Sequence, residues 1–169
     1  MKWTVLVIAV TVLCCMQQDA SAGVMKNHQK RHHAASAPLR SSDTHQRVKE
    51  LAMHAQNLDD DTDIRLMPPT NHTDNQTNLY ICCLHVNILD FYLRNILTTT
   101  ETYPHLSSLR SDLHRVSRDL KQKGCSVNHV KDHEHSKRFK EEFFKLGKHG
   151  ETKAFGEIDI LFDYLSRYC

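Results

Sequence analysis

Cysteine and histidine offer this chain its most reactive side chains, with six of the first and thirteen of the second in 169 residues. Cys14 and Cys15 sit in an apolar run near the start, which leaves Cys82, Cys83, Cys125 and Cys169 for a folded domain. An even set of four in a chain that reads as secreted is a disulfide framework, and four cysteines allow three connectivities. A bond between the neighbours Cys82 and Cys83 would be strained. The two bridges therefore tie Cys82 and Cys83 to Cys125 and Cys169, in one of two pairings. Each closes a loop of roughly 40 to 90 residues, for which the chain-entropy model gives about 4 kcal/mol. Oxidised cysteines are not available as nucleophiles.

The histidines invite a metal. His129 and His133 stand four apart, on one face of a helix, with His135 close by. A zinc site needs three or four ligands in tetrahedral geometry. His133-Glu134-His135 lacks the spacing of the helical zinc-protease motif, because residues i and i+2 point to different faces. These histidines read as solvated, with no metal and no cofactor expected. Nor is there a nucleophile elbow, a phosphate loop or a dinucleotide loop, so the chain is not expected to be an enzyme. The acidic run Asp59-Asp60-Asp61-Thr62-Asp63 lacks the glycine and terminal glutamate of a calcium-binding EF-hand loop. It reads as a solvated loop or a contact for a partner.

Charge and patterning place the chain outside the cell. The formal net charge of +2 is too mild to argue for nucleic acid. Met1-Lys2, an apolar run from Val5 to Cys15 and the small-residue site Ala20-Ser21-Ala22 make residues 1–22 a secretory signal peptide. The run is too short to cross a bilayer, which takes about 20 residues, so no membrane insertion is expected. Residues 23–42 read as a flexible arm that includes the basic stretch Lys26 to His33. Residues 43–169 carry the helical domain. The acceptor sequons Asn71-His72-Thr73 and Asn75-Gln76-Thr77 predict an exposed loop with glycan acceptor sites at Asn71 and Asn75.

The elements that must position these residues are helices. Val48, Leu51, Ala52, Ala55 and Leu58 recur at helical spacing and predict a helix over about His45 to Asn57. Pro68-Pro69 interrupts the following loop, which holds a small apolar patch, Ile64, Leu66 and Met67, around Arg65. Leu79 to Leu97 is apolar almost all round and predicts the most buried helix. Pro104 suits the first turn of the next helix, whose stripe is Leu106, Leu109, Leu113, Val116 and Leu120 and which Gly124-Cys125 ends. Asn128 to Leu146 follows, with Phe139, Phe143 and Leu146. Gly147 to Gly150 turns the chain into a closing helix striped by Phe155, Ile158, Phe162 and Leu165. Gly156 sits inside that helix at a cost of about 1 kcal/mol relative to alanine, which suits a close approach by a neighbouring backbone or a partner. No strand signal appears, and the fold class is all-α.

The closing residues Lys145-Leu146-Gly147-x-x-Gly150-Glu151-x-Lys153-Ala154-x-Gly156-Glu157-x-Asp159-x-Leu161-Phe162 resemble the signature of the interleukin-10 family of helical cytokines. Thr62-Asp63-Ile64-Arg65-Leu66 resembles the loop after the first helix in the interleukin-22-like branch. Ile88-Leu89-Asp90-Phe91 and Arg115-Val116-Ser117-x-x-Leu120 resemble its next long helices. The resemblance runs from about Val48 to Cys169. It implies a six-helix class II cytokine bundle of the interleukin-10 type, with a short helix in or near residues 68–78, and no enzymatic activity. The partners it implies are a heterodimeric class II cytokine receptor, made of a high-affinity chain and a shared chain, and a soluble decoy receptor. The outcome it implies is JAK/STAT signalling in epithelial defence and repair. Matched to the family motifs, the receptor-binding residues are Thr62, Asp63, Ile64, Arg65, Lys153, Gly156 and Glu157. The doublet Cys82-Cys83 resembles the interleukin-20 subgroup and implies the bridges Cys82–Cys169 and Cys83–Cys125. The chain departs from the pattern at Pro104-His105 and Ser107-Ser108, where the family offers an aromatic and an acidic residue to the shared chain. The rival reading is a cationic host-defence or glycosaminoglycan-binding protein that acts through the basic arm.

Overall fold

Asn78–Phe91 forms the central helix of the computed structural model, which describes residues 36–60, 63–69, 77–98, 103–125 and 132–169. These residues all lie in the compact unit His33–Cys169. They hold six α-helices: α1 (Ser42–Gln56), α2 (Asn78–Phe91), α3 (Leu106–Gln122), α4 (Asp132–Lys145), α5 (Lys148–Gly156) and α6 (Ile158–Tyr168). No strand occurs among the described residues. No described helix is long and apolar enough to cross a membrane.

Local sequence explains where most helices begin. The Ser41 hydroxyl accepts the Thr44 N–H and caps α1, with Asp43 in the first turn, where a helix favours negative charge. The helix thus starts upstream of the expected His45. Thr77 caps α2 in the same way through the Tyr80 N–H. Beyond Phe91 the helix widens into one π turn, Tyr92–Ile96, closed by the Leu97 N–H on the Tyr92 carbonyl. The expected role of Pro104 in the first turn of α3 is corrected. His105, in the left-handed region at φ 60, makes the corner, and the helix starts at Leu106.

The closing segment is two helices rather than one. The apolar stripe Phe155, Ile158, Phe162 and Leu165 is buried throughout, so the pattern runs across a break that it does not reveal. Glu157, at φ −109 and ψ 9, ends α5 and opens α6. The turn from α4 into α5 is made by Gly147 at φ 56. Gly150 already lies inside α5, where a Cβ would stand 2.5 Å from the Phe143 carbonyl oxygen. Only glycine lets α4 and α5 approach this closely.

α2 packs against α4 and α6, and α1 against α5 and α6. The core joins Leu51, Ile88, Leu89, Tyr92, Leu109, Phe139, Phe155 and Leu161. Tyr92 is fully buried, stacks on Phe139 at 5.6 Å and donates its hydroxyl to the Ala154 carbonyl at 2.8 Å. Asp90, which continues the apolar stripe of α2, is buried and accepts from Ser117 (2.7 Å) and Lys121 (2.8 Å) of α3. Two disulfides, Cys82–Cys169 and Cys83–Cys125, tie the start of α2 to the end of α6 and to the residue that follows the α3 turn.

The ordered fold also reaches upstream of residue 43. Ala37–Arg40 forms a 3-10 turn whose Leu39 is buried in the core, and the Ser36 hydroxyl donates to Asp119 at 2.6 Å. One apolar anchor and one charge-assisted hydrogen bond therefore fix residues that Pro38 and the serines mark as flexible. The expected signal peptide, the arm up to residue 35 with its basic stretch, and the sequons at Asn71 and Asn75 lie outside the described residues. So does most of the segment in which a further short helix is expected.

Candidate functional site

The loop that leaves α1 alternates between solvent and core. Asp63 and Arg65 are exposed and Ile64 is half-buried. Leu66 and Met67 then turn inward and are buried in the core. Leu66 and Met67 anchor the loop, and Arg65 just before them stays at the surface. Thr62 lies outside the described residues.

Beneath this loop stand Lys153, Gly156 and Glu157, all buried. The Glu157 carboxylate accepts the backbone N–H groups of Leu66 (2.8 Å) and Met67. The break between α5 and α6 is what aims this side chain at the loop. Lys153 places its Nζ 2.6 Å from Asp59 Oδ2, with the two side chains 7% and 11% exposed. Gln56, at the end of α1, donates from Nε2 to the Gly156 carbonyl at 2.6 Å, and a Cβ on Gly156 would stand 3.3 Å from Gln56 Cγ. The neighbour that Gly156 admits in this structure is thus the end of α1. Six of the seven residues matched by motif divide into a displayed set, Asp63, Ile64 and Arg65, and a supporting set, Lys153, Gly156 and Glu157; the seventh is Thr62.

Electrostatics reflect this burial. Loss of solvent pushes the Glu157 carboxyl above its ordinary range. The two loop N–H groups and the charges of Lys153 and Arg65 pull it back. Burial also raises the Tyr92 phenol, with Glu157 and Asp159 adding to the effect. Two positioning residues, Gln56 and Asp59, were not legible as such in the sequence. Asp59 belongs to a run that reads as solvated acid. No local signal marks its pairing with Lys153, because the burial of that lysine arises only on packing.

The expectation of solvated histidines needs correction at His135, which is half-buried with its ring 5.9 Å from that of the fully buried His85. Burial lowers the His135 imidazole and takes that of His85 down to about 4. His85 Nδ1 bonds to the Ile81 carbonyl at 2.8 Å, and the ring lies 4.4 Å from Tyr164. The side chains of His129 and His133 lie outside the described residues.

Three comparisons bear on this arrangement. Residues 39–169 match the family model described as Interleukin 22, IL-10-related T-cell-derived-inducible factor. Interleukin-22b of Mus musculus is 31% identical over 90 residues, which is 52% of this chain and 50% of that protein. The chain thus spans about half the length of this curated relative. The crystal structure of zebrafish IL-22 superposes with a TM-score of 0.67 at 28% identity, covering 79% of this chain and 96% of that one.

Proposed function

The chain belongs to the interleukin-22 family of IL-10-related cytokines, a non-enzymatic family, and on that premise we propose that it is a secreted ligand whose α1–α2 loop engages the high-affinity chain of a class II cytokine receptor. Asp63 and Arg65 supply charge-assisted hydrogen bonds to that chain, and Ile64 supplies an apolar anchor. Thr62 belongs to the same contact. Lys153, Gly156 and Glu157 serve it from below by fixing the loop. A shared second chain then joins, and the pair starts JAK/STAT signalling in epithelial cells.

The observation that carries this reading is the pairing of an exposed Asp63 and Arg65 with a buried Leu66-Met67 whose N–H groups are held by Glu157. A loop fixed in advance loses less conformational freedom on binding and so binds more tightly. The test is Arg65→Glu, followed by surface plasmon resonance on the receptor ectodomain and by STAT phosphorylation in epithelial cells. Affinity should fall at least about tenfold while helical circular dichroism and the melting temperature hold. Unchanged binding would discard this surface.

A further inference from the structure

The two disulfides are neighbours as well as staples. Cys82 Sγ of one bridge lies 3.8 Å from Cys125 Sγ of the other. Adjacent positions on α2 bring this about, because Cys82 and Cys83 each carry a bridge and their partners converge on the same turn. A surface hollow opens on this place, lined by Leu79, Cys82, Leu120, Lys123, Cys125, Tyr168 and Cys169. Cys82, Cys83 and Cys125 are buried, whereas Cys169 is partly exposed. Cys169 is thus the one of the four cysteines that is not buried, and Lys123 on the wall of the hollow favours a thiolate there.

From this geometry we infer that the four cysteines form a thiol-exchange site that takes a low-molecular-weight thiol at Cys169. The incoming thiolate attacks Cys169 Sγ, forms a mixed disulfide and expels Cys82 as the thiolate. Cys82 then attacks Cys125 Sγ, its neighbour across the gap between the bridges. A Cys82–Cys125 bond forms, the Cys83–Cys125 bond breaks, and Cys83 leaves as the thiolate. The proton lost by the incoming thiol ends on Cys83, the last thiolate released. Each step is thiol–disulfide exchange through a mixed disulfide. One thiolate is consumed and one is produced, so no outside oxidant is needed. The free thiol thus moves from Cys82 to Cys83, both of them buried, and Cys169 stays modified.

Limiting glutathione on the folded, full-length protein tests this, with circular dichroism to show that the helices persist. The reaction is quenched in acid, free thiols are capped with N-ethylmaleimide, and the peptides are mapped by mass spectrometry. The expected product carries glutathione on Cys169, a Cys82–Cys125 bridge, and the cap on Cys83 in large excess over Cys82. The cap on Cys82 with Cys83–Cys125 intact would overturn the relay. First modification at any cysteine other than Cys169, or two bridges that stay closed while the protein is folded, would overturn the site.

Discussion

Lys153 and Asp59 form a nearly solvent-free ion pair, 2.6 Å from Nζ to Oδ2, between helix α5 and the loop that leaves α1. Removing one member takes this partner away from a buried charge, at a cost of up to about 3–5 kcal/mol. Lys153→Met should lower stability by that order in a urea titration, and Asp59→Asn by a similar amount. The double variant should lose less than the sum of the two, because each single change includes the penalty of the partner left behind. Strict additivity would show that the pair is not coupled.

Two glycines in the closing segment should respond differently to alanine. At Gly150 the new methyl meets the Phe143 carbonyl oxygen at 2.5 Å, and backbone cannot yield cheaply. Gly150→Ala should cost about 1–3 kcal/mol through overpacking, seen as a clear drop in melting temperature. At Gly156 the nearest atom is Gln56 Cγ at 3.3 Å, part of a side chain that can move by a few tenths of an ångström. Gly156→Ala should stay within about 1 kcal/mol of the parent, the scale of the helix-propensity difference. A reversed order would contradict the packing described for α5.

His85 makes stability depend on mild acid. Its pKa falls from 6.5 to about 4 on folding, so the unfolded chain binds the proton more tightly. The contribution is fully present above about pH 6.5 and is lost as pH falls towards about 4. Between about pH 7.5 and 4.5 the parent should lose about 2–3 kcal/mol more than His85→Met, as judged by urea midpoints at the two pH values. His135, also lowered by burial, acts in the same direction. Glu157 acts in the opposite one, since a raised carboxyl pKa makes the fold bind the proton more tightly as pH falls. Parallel pH profiles for parent and variant would remove His85 from this account.

How much of this was legible follows from the range of each interaction. The stripes Val48–Leu51–Ala55 and Leu106–Leu109–Leu113–Val116–Leu120 are local, and helical periodicity alone places them in the core. The break at Glu157 was hidden because apolar residues keep their spacing through it. Gly156 could be read as a close approach, but its neighbour Gln56 lies 100 positions away. Lys153 and Asp59 look like ordinary surface charges until packing brings them together. Leu39 gives no such signal, because a single apolar residue beside Pro38 has no period to reveal it. In each case tertiary contact overrides the local signal.

The bridges also set what a single cut in the chain can release. Cys82–Cys169 closes a covalent ring across 87 positions, and Cys83–Cys125 divides it. One peptide bond broken anywhere inside that ring leaves every piece attached. The segment between α1 and Cys82, which carries Asp63, Ile64 and Arg65, lies outside it. A protease that nicks this segment separates α1 from the rest of the bundle in covalent terms, and only packing then holds the first helix in place. The surface proposed for recognition is thus also the stretch where one hydrolytic event leaves a two-piece molecule that no disulfide among the described residues joins.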